Sequence, residues 1–251
     1  MNTSREVFLE RVRRALAPGR DGGKGAKWLP PSGNRERAAA VCEKVTRRTR
    51  QDRLKLLDHL MERAAITGMT VTPCRGVTAA ARAVAALIRQ ASGGRDKAAG
   101  PVVWRHPLID RLMREPALTA LMPPAHLQRA GGGNAGISAA VRQQTAAAAV
   151  GIISAEWCLV DTATLVSRTR PGCDRSMAVV PPVTIAVVLL DHLVADLREL
   201  FALLQCENPA SAPRLTNYMS LISGPSTTRD IEGIPVTGAH GPREVTILVV
   251  V

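Results

Sequence analysis

Three polar segments of the 251-residue sequence combine carboxylates, hydroxyls and glycines, which are groups that bind anions or transfer protons. The segments are residues 161–164, 223–232 and 238–242. The candidate catalytic residues within them are Asp161, Asp230, Glu232 and His240. The candidate ligand-binding residues are Thr162, Thr164, Ser223, Gly224, Pro225, Ser226, Thr228 and Gly241.

The segment 223–232 has the composition best suited to a site. Its glycine lets the backbone approach a ligand closely, and its hydroxyls and N–H groups can surround an anion. Asp230 and Glu232 could act as acid, base or ribose ligands. The structural alternative is a capped turn in which Ser226 or Thr228 begins a short helix.

The other two segments also have structural alternatives. Asp161 and Thr162 would serve equally well in a strand-end turn that local side-chain hydrogen bonds satisfy. His240, next to Gly241 and Pro242, is typical of a histidine in a tight turn. The remaining histidines have no partner at metal-ligand spacing, so no metal site is predicted. They are His59, His106, His126 and His192.

The five cysteines contain no C-x-x-C pair, which excludes a zinc ribbon or an iron–sulfur ligand run in this chain. We expect them all to be free thiols in a reducing compartment. The longest apolar stretch, 179–190, is interrupted and too short to span a bilayer. The charged N-terminus does not resemble a secretory signal, so we expect a cytoplasmic protein.

Composition indicates a globular protein with an uneven charge. Hydrophobic residues make up 46% and charged residues 22% of the chain, and the net charge is +12. The excess of lysine and arginine lies in the N-terminal half. Such a half could bind nucleic acid, although six aromatic residues offer few stacking platforms.

Hydrophobic periodicity predicts an α/β layered fold with a parallel or mixed sheet and flanking helices. We predict an N-terminal arm over 1–33, made of a helix (3–17) and a Gly/Pro-rich tether, and a single domain over 34–251. Predicted helices cover 34–66, 77–90, 108–121 and 191–204. Predicted strands cover 69–72, 101–104, 150–153, 158–160, 165–167, 183–190, 218–222 and 245–251. Ligands bind such sheets at the carboxyl ends of strands, where we expect the three polar segments.

In order along the chain, these segments resemble the LUD domain family, the family of lactate utilisation protein C. The family's acidic-Thr-Gly-Thr pattern is matched by Asp161, Thr162 and Thr164, with Ala163 in the glycine place. Residues 175–188 resemble its Arg-rich loop, Leu-Pro-Pro and β-branched strand. The strongest match is 222–226 with Thr228 and 230–232, followed by 238–242. The start of the chain, 8–13, is also similar.

The resemblance implies a fold like that of the sugar-phosphate isomerase and CoA-transferase superfamily (NagB/RpiA/CoA transferase-like). It also implies a role in oxidising lactate to pyruvate beside two partner proteins that carry iron–sulfur clusters, while this chain binds no cofactor. Thr227 stands where the family often has a cation, and Arg229 where it has a small residue. An anion contact expected at 227 would then come from Arg229 or be lost.

Three hypotheses follow. The first is an accessory subunit of a lactate-oxidising system with iron–sulfur partners. The second is a stand-alone enzyme that acts on a phosphorylated or CoA-linked small molecule, with Asp230 or Glu232 as acid or base and Ser223, Gly224 and Ser226 as anion ligands. The third is a nucleic-acid-binding protein that uses its basic half. The resemblance favours the first.

Overall fold

The computed structural model describes residues 6–7, 33–92, 100–122, 128–129, 139–168, 170, 172–207, 218–229 and 235–251. Contacts divide the chain into a unit of residues 1–37 and a unit of residues 38–251. Of the predicted helix 3–17, only Glu6 and Val7 are described, and both are helical. The rest of that helix and nearly all of the tether lie outside the described residues, so the N-terminal arm stays a prediction.

The described helices, named in chain order, are α1 (Gly33–Thr46), α2 (Arg50–Ile66), α3 (Gly76–Ser92), α4 (Pro107–Leu112), α5 (Pro116–Thr119), α6 (Ala139–Ala147), α7 (Ser176–Val179) and α8 (Leu197–Cys206). The predicted helix 34–66 is thus two helices. Thr49 caps α2, because its hydroxyl accepts from the Asp52 N–H at 3.2 Å while the Asp52 carboxylate accepts from the Thr49 N–H at 3.2 Å.

The described strands are β1 (Thr70–Cys74), β2 (Val102–Val103), β3 (Gln128–Arg129), β4 (Val150–Ser154), β5 (Trp157–Leu159), β6 (Thr164–Arg168), β7 (Val183–Leu189), β8 (Leu193–Val194), β9 (Met219–Ile222), β10 (Thr227–Arg229), β11 (Pro235–Thr237) and β12 (Glu244–Val250). Six strands form a wholly parallel main sheet in the order β1-β12-β7-β4-β2-β3. A smaller mixed sheet has the order β8-β5-β6-β9, and β10 pairs with β11.

Helices cover both faces of the main sheet, which confirms the predicted α/β layered class. On β7, Ile185 and Val187 pack in one cluster with α3, α4 and α5, whereas Ala186 and Val188 pack in another cluster with α2. Neighbouring side chains of a strand point to opposite faces, so the apolar run of β7 serves both layers. The smaller sheet packs Trp157 and Val166 against α8.

The start of the predicted helix 191–204 was wrong. Leu193 and Val194 form β8, which pairs with β5, and the helix begins only at Leu197. The Asp196 carboxylate caps it by accepting from the N–H groups of Arg198 and Glu199 at 2.8 and 3.0 Å. The predicted helix 108–121 is similarly divided into α4 and α5.

The structure also corrects the prediction that all five cysteines are free. Cys42 of α1 and Cys206, the last residue of α8, form a disulfide. The expectation of five free thiols was therefore wrong for these two, because the fold brings together residues 164 positions apart. Cys74, Cys158 and Cys173 are buried thiols. No helix in the described part of the chain is long and apolar enough to cross a membrane.

Candidate functional site

A chain of three hydroxyls joins the first polar segment to the second. The Thr162 and Thr164 hydroxyls hydrogen-bond at 2.7 Å, and the Thr164 hydroxyl hydrogen-bonds to that of Ser223 at 2.7 Å. Thr164 begins β6 and Ser223 follows β9, and these antiparallel strands pair so that Leu165 lies opposite Ile222. The strand register therefore brings together residues that are 59 positions apart.

The turn before Thr164 has a backbone conformation that is typical of glycine. Ala163 has a φ of +48°, is fully buried, and donates its N–H to the Val160 carbonyl at 3.2 Å. This left-handed conformation costs an alanine roughly 1–2 kcal/mol, which explains a glycine preference at the position. A hydrogen bond from α2 also stabilises the turn, because Arg63 Nε donates to the Asp161 carbonyl at 2.7 Å. The hairpin of β5 and β6, which carries the Thr162 and Thr164 hydroxyls, therefore forms with alanine at this position.

The second and third segments are joined by three hydrogen bonds centred on Ser226. Its N–H donates to the Pro242 carbonyl at 2.8 Å, and its carbonyl accepts from the Gly238 N–H at 2.8 Å. The Ser226 hydroxyl accepts from the His240 N–H at 3.2 Å. A Cβ on Gly241 would lie 3.0 Å from the Ser226 Cβ, so any residue other than glycine would require Ser226 to shift by a few tenths of an ångström. The three segments thus form one surface, here called the three-motif surface.

The three-motif surface lies at the amino ends of the main strands, which corrects the expected location. The N–H groups of Arg243 and Glu244 donate to the Pro182 carbonyl at 2.8 and 3.1 Å, where β12 and β7 both begin. Gly224 has a φ of +137°, and a Cβ on it would lie 2.9 Å from the carbonyl oxygen of Thr67, just before β1. The expectation failed because the final segment precedes a strand and the other two flank strands of the smaller sheet.

The chemistry available at this surface is hydrogen bonding. Thr162, Ser223 and His240 are exposed, whereas Thr164 is buried. In the described part of the chain, no carboxylate or imidazole hydrogen-bonds to the Thr162, Thr164 or Ser223 hydroxyls. An activated serine or threonine nucleophile needs such a base within hydrogen-bonding distance.

The remaining predicted site residues differ in their exposure and in whether the structure describes them. The Asp161 side chain is exposed, and Thr228 is exposed on β10. Pro225 packs near Gly68, where a Cβ would lie 3.9 Å from the proline ring. Asp230 and Glu232 lie outside the described residues, and so does the side chain of Arg229. The acid–base roles suggested for these carboxylates stay predictions.

A second group of polar side chains, which the sequence analysis did not select, lies at the opposite edge of the main sheet. His106, Glu156 and His192 follow β2, β4 and β7 by two or three residues. Glu156 is contacted by Arg168 and Arg170. The usable signal in the sequence was a histidine or carboxylate soon after each apolar strand. Because only the strand order makes β2, β4 and β7 neighbours, the grouping itself was not visible.

The Cys158 and Cys173 thiols are buried. Burial raises the pKa of Cys158 to about 12 and, together with the nearby Glu156 charge, that of Cys173 to about 11, where the Arg170 charge opposes the rise. Both therefore carry their protons at neutral pH. Within the described ranges, no group of three or more His, Cys, Asp and Glu side chains is placed to hold a metal ion.

The chain matches a known domain family. Residues 57–250, which include all three motifs and the whole main sheet, match the LUD domain. The chain belongs to the LUD domain family. The match covers the described parts of the three-motif surface and of the group at the opposite edge, so both belong to the LUD domain itself.

Relatives of this LUD domain protein share part of its sequence. A protein named lactate utilization protein C from Halalkalibacterium halodurans is 34% identical over 101 residues, which are 40% of this chain and 44% of that protein. One with the same name from Deinococcus radiodurans is 36% identical over 76 residues, or 30% of this chain and 34% of that protein. The chain thus matches less than half the length of these relatives.

Two further similarities extend over more of this chain. Lactate utilization protein C from a Geobacillus species is 30% identical over 162 residues, 60% of this chain and 62% of that protein. The crystal structure of a DUF162 family protein from Deinococcus radiodurans covers 79% of this chain and 98% of that chain, with a TM-score of 0.44 and 16% identity.

Proposed function

We propose that this LUD domain protein is an accessory component of a lactate utilisation system that oxidises lactate to pyruvate. The oxidation releases two electrons and two protons, and the proposal assigns the electrons to two partner proteins that carry iron–sulfur clusters. This chain would bind no redox cofactor of its own. A cytoplasmic location, as the sequence predicts, is part of the proposal.

The observation that carries the proposal is the union of the three family motifs into one exposed surface. The 2.7 Å hydrogen bond between Thr164 and Ser223 joins two of them, and the Ser226 contacts join the third. The surface offers hydroxyl and backbone hydrogen-bonding groups without a base beside the hydroxyls in the part of the chain that is described. This composition supports recognition of a ligand or partner by hydrogen bonding. The choice of lactate utilisation as the pathway is supported by the names of the relatives.

The cysteine spacing supports the assignment of the redox centres to partners. The five cysteines of the chain contain no C-x-x-C pair, the spacing that familiar iron–sulfur ligand runs use.

Growth on lactate tests the proposal. A strain without the gene is expected to lose growth on lactate as sole carbon source while it keeps growth on glucose. Complementation with the Thr164→Val/Ser223→Ala double variant should fail to restore growth, because it removes the hydroxyl chain and leaves the strands intact. Ser220→Ala, a hydroxyl removal within β9, is the matched control and should restore growth fully.

Purification provides the second arm of the test. Tagged wild-type protein from lactate-grown cells, isolated without oxygen, should bring down two iron-containing proteins together with lactate-dependent dye reduction. Unimpaired growth of the deletion strain on lactate would contradict the proposal. So would an iron-free isolate that contains a bound phosphorylated or CoA-linked compound, which would favour a stand-alone enzyme.

A further inference from the structure

The Cys42–Cys206 disulfide is accessible from solvent, unlike the other cysteines. Cys206 is exposed at the end of α8, and Cys42 is half-buried in α1. The three remaining cysteines are buried thiols. A reductant in solution can therefore reach this bond, whereas the interior cysteines are shielded from it.

Residues 38–46 of α1 lie along α8 in the opposite chain direction. Cys42 bonds to Cys206, the last residue of α8. Arg48, just after α1, pairs with Glu199 in the first turn of α8. A step forward along α1 therefore corresponds to a step backward along α8. The two helices are connected at two points, one covalent and one ionic.

Little apolar packing keeps α1 in this position. Among the α1 side chains that the structure describes, only Ala38 and Val45 are buried. Neither belongs to the three apolar clusters of the described core. A helix of 14 residues is marginal in water without tertiary packing, because the ordering of its backbone opposes its formation. The attachment of residues 38–46 to α8 therefore depends on the disulfide.

The ion pair at the other point does not replace the disulfide. Arg48 lies beyond the last residue of α1, so its contact with Glu199 fixes the connection to α2. In the described part of the chain, Nη1 of Arg48 is buried without a hydrogen-bond acceptor. An unsatisfied buried donor reduces what such a pair contributes to stability. Arg48 is consequently the point about which α1 can move once the disulfide opens.

We propose that the Cys42–Cys206 disulfide is a reversible redox switch that controls the docking of α1 on α8. In the oxidised state, residues 38–46 cover the face of α8 that carries Glu199 and Cys206. Ala202 lies between them on that face and is buried. In the reduced state, α1 leaves this face and moves about Arg48. Disulfides in a reducing compartment are typically transient or redox-sensing, and the inference takes only the cytoplasmic location from the proposed function.

A dithiol reductant opens the bond by thiol–disulfide exchange. One of its thiolates attacks the exposed Cys206 sulfur, forms a mixed disulfide and expels the Cys42 sulfur, which takes up a proton. The second thiol of the reductant then attacks the reductant's own sulfur in the mixed disulfide, and the released Cys206 is protonated in turn. Two electrons and two protons thus pass to the cysteines, and the reductant becomes an intramolecular disulfide. A disulfide oxidant reverses these steps.

Hydrogen exchange of the purified full chain, measured by mass spectrometry, tests the inference. With dithiothreitol as the dithiol, amides of residues 38–45 should exchange about tenfold faster or more, because this segment opens locally without the disulfide. Amides of α3 should keep their rate, since that helix packs in the core. Reoxidation with oxidised glutathione should restore the slow exchange.

Two variants separate the switch from a general effect of the reductant. Cys42→Ser/Cys206→Ser should show fast exchange over residues 38–45 with and without dithiothreitol. Cys74→Ala removes a buried thiol and is the matched control, so it should respond to dithiothreitol as the wild type does. Brief treatment of the wild type with the monothiol glutathione should place the mixed disulfide on Cys206.

Several results would overturn the inference. They are equal exchange of residues 38–45 in the oxidised and reduced proteins, faster exchange throughout the domain on reduction, a mixed disulfide on Cys42, or a bond that dithiothreitol reduces only after denaturation. The wild-type comparison decides the outcome even if the double variant does not fold. It is separable from the proposed function, because exchange is measured on the purified chain and the pathway role by growth of the deletion strain.

Discussion

Arg48 and Glu199 form a largely buried ion pair that connects the segment between α1 and α2 to the first turn of α8. Their side chains are 12% and 11% exposed. Glu199 also accepts from the Ala195 N–H at 2.6 Å, so its carboxylate is both paired and hydrogen-bonded. Removal of one partner from such a pair leaves an unpaired buried charge, which is costlier than removal of both.

We therefore expect Glu199→Ala to lower the free energy of unfolding by about 3–5 kcal/mol, measured by urea denaturation. Arg47→Ala breaks the exposed pair with Glu43 at 2.7 Å and should change it by less than about 0.5 kcal/mol. The double variant Arg48→Met/Glu199→Leu should recover most of the loss, since no charge is left buried. A loss below about 1 kcal/mol for Glu199→Ala would contradict the assignment of a tightly coupled pair.

At the scale of elements, the Cys42–Cys206 disulfide links α1 to the end of α8. The linked residues are 164 positions apart, so the bond closes a long loop in the unfolded chain. Loop closure of this size restricts the unfolded ensemble strongly, and removal of a native disulfide typically costs about 2–5 kcal/mol. The remaining cysteines cannot replace it without rearrangement, because all three are buried.

We expect reduction of this disulfide to lower the free energy of unfolding by about 2–5 kcal/mol. The Cys42→Ser/Cys206→Ser variant should have the lower stability already and should not respond to reductant. A thiol titration of the unreduced, denatured protein should find three of the five cysteines reactive. Five reactive thiols would show that the two residues are not bonded.

Considered as a whole molecule, the domain carries its two polar groups at opposite edges of one sheet. The three-motif surface lies where β7 and β12 begin, and the His106–Glu156–His192 group lies where β2, β4 and β7 end. A strand of seven residues such as β7 spans roughly 20 Å. Variants at one edge should therefore leave the other unaffected.

The half-buried histidines His106 and His192 also make the stability of the whole domain depend on pH. Burial holds the folded-state pKa of His106 and His192 below the ordinary value of 6.5, so the unfolded chain binds these protons more tightly. The stability they contribute is complete above about pH 6.5 and is lost as the pH falls below it, with a slope of at most about 2.7 kcal/mol per pH unit for two protons.

This dependence can be measured as the free energy of unfolding between pH 7.5 and about pH 5, above the range where most carboxylates titrate. The His106→Gln/His192→Gln variant should show a flatter profile than the wild type. His59→Gln removes an exposed histidine on α2 and should leave the slope unchanged. Equal slopes in wild type and double variant would show that these imidazoles are not held neutral by the fold.

Much of the layered architecture was predictable because its signals are local. The β-branched run that forms Val183–Leu189 indicated a strand buried on both faces, and the alanine-rich segment that forms Gly76–Ser92 indicated a helix. Leu193 was predicted to be helical because it shares a helical spacing with Leu197 and Leu200. It is instead in β8, because β5 provides a pairing partner and Asp196 starts the helix later.

The sequence by itself determined the α/β class, the three motifs and membership of the LUD domain family. These depend on the periodicity and order of nearby residues, which a linear chain displays directly. The tertiary structure alone decided which sheet edge the motifs occupy, the pairing of Cys42 with Cys206, and the meeting of His106, Glu156 and His192. The physical reason is that strand order and helix packing bring distant residues together, and no local pattern encodes that order.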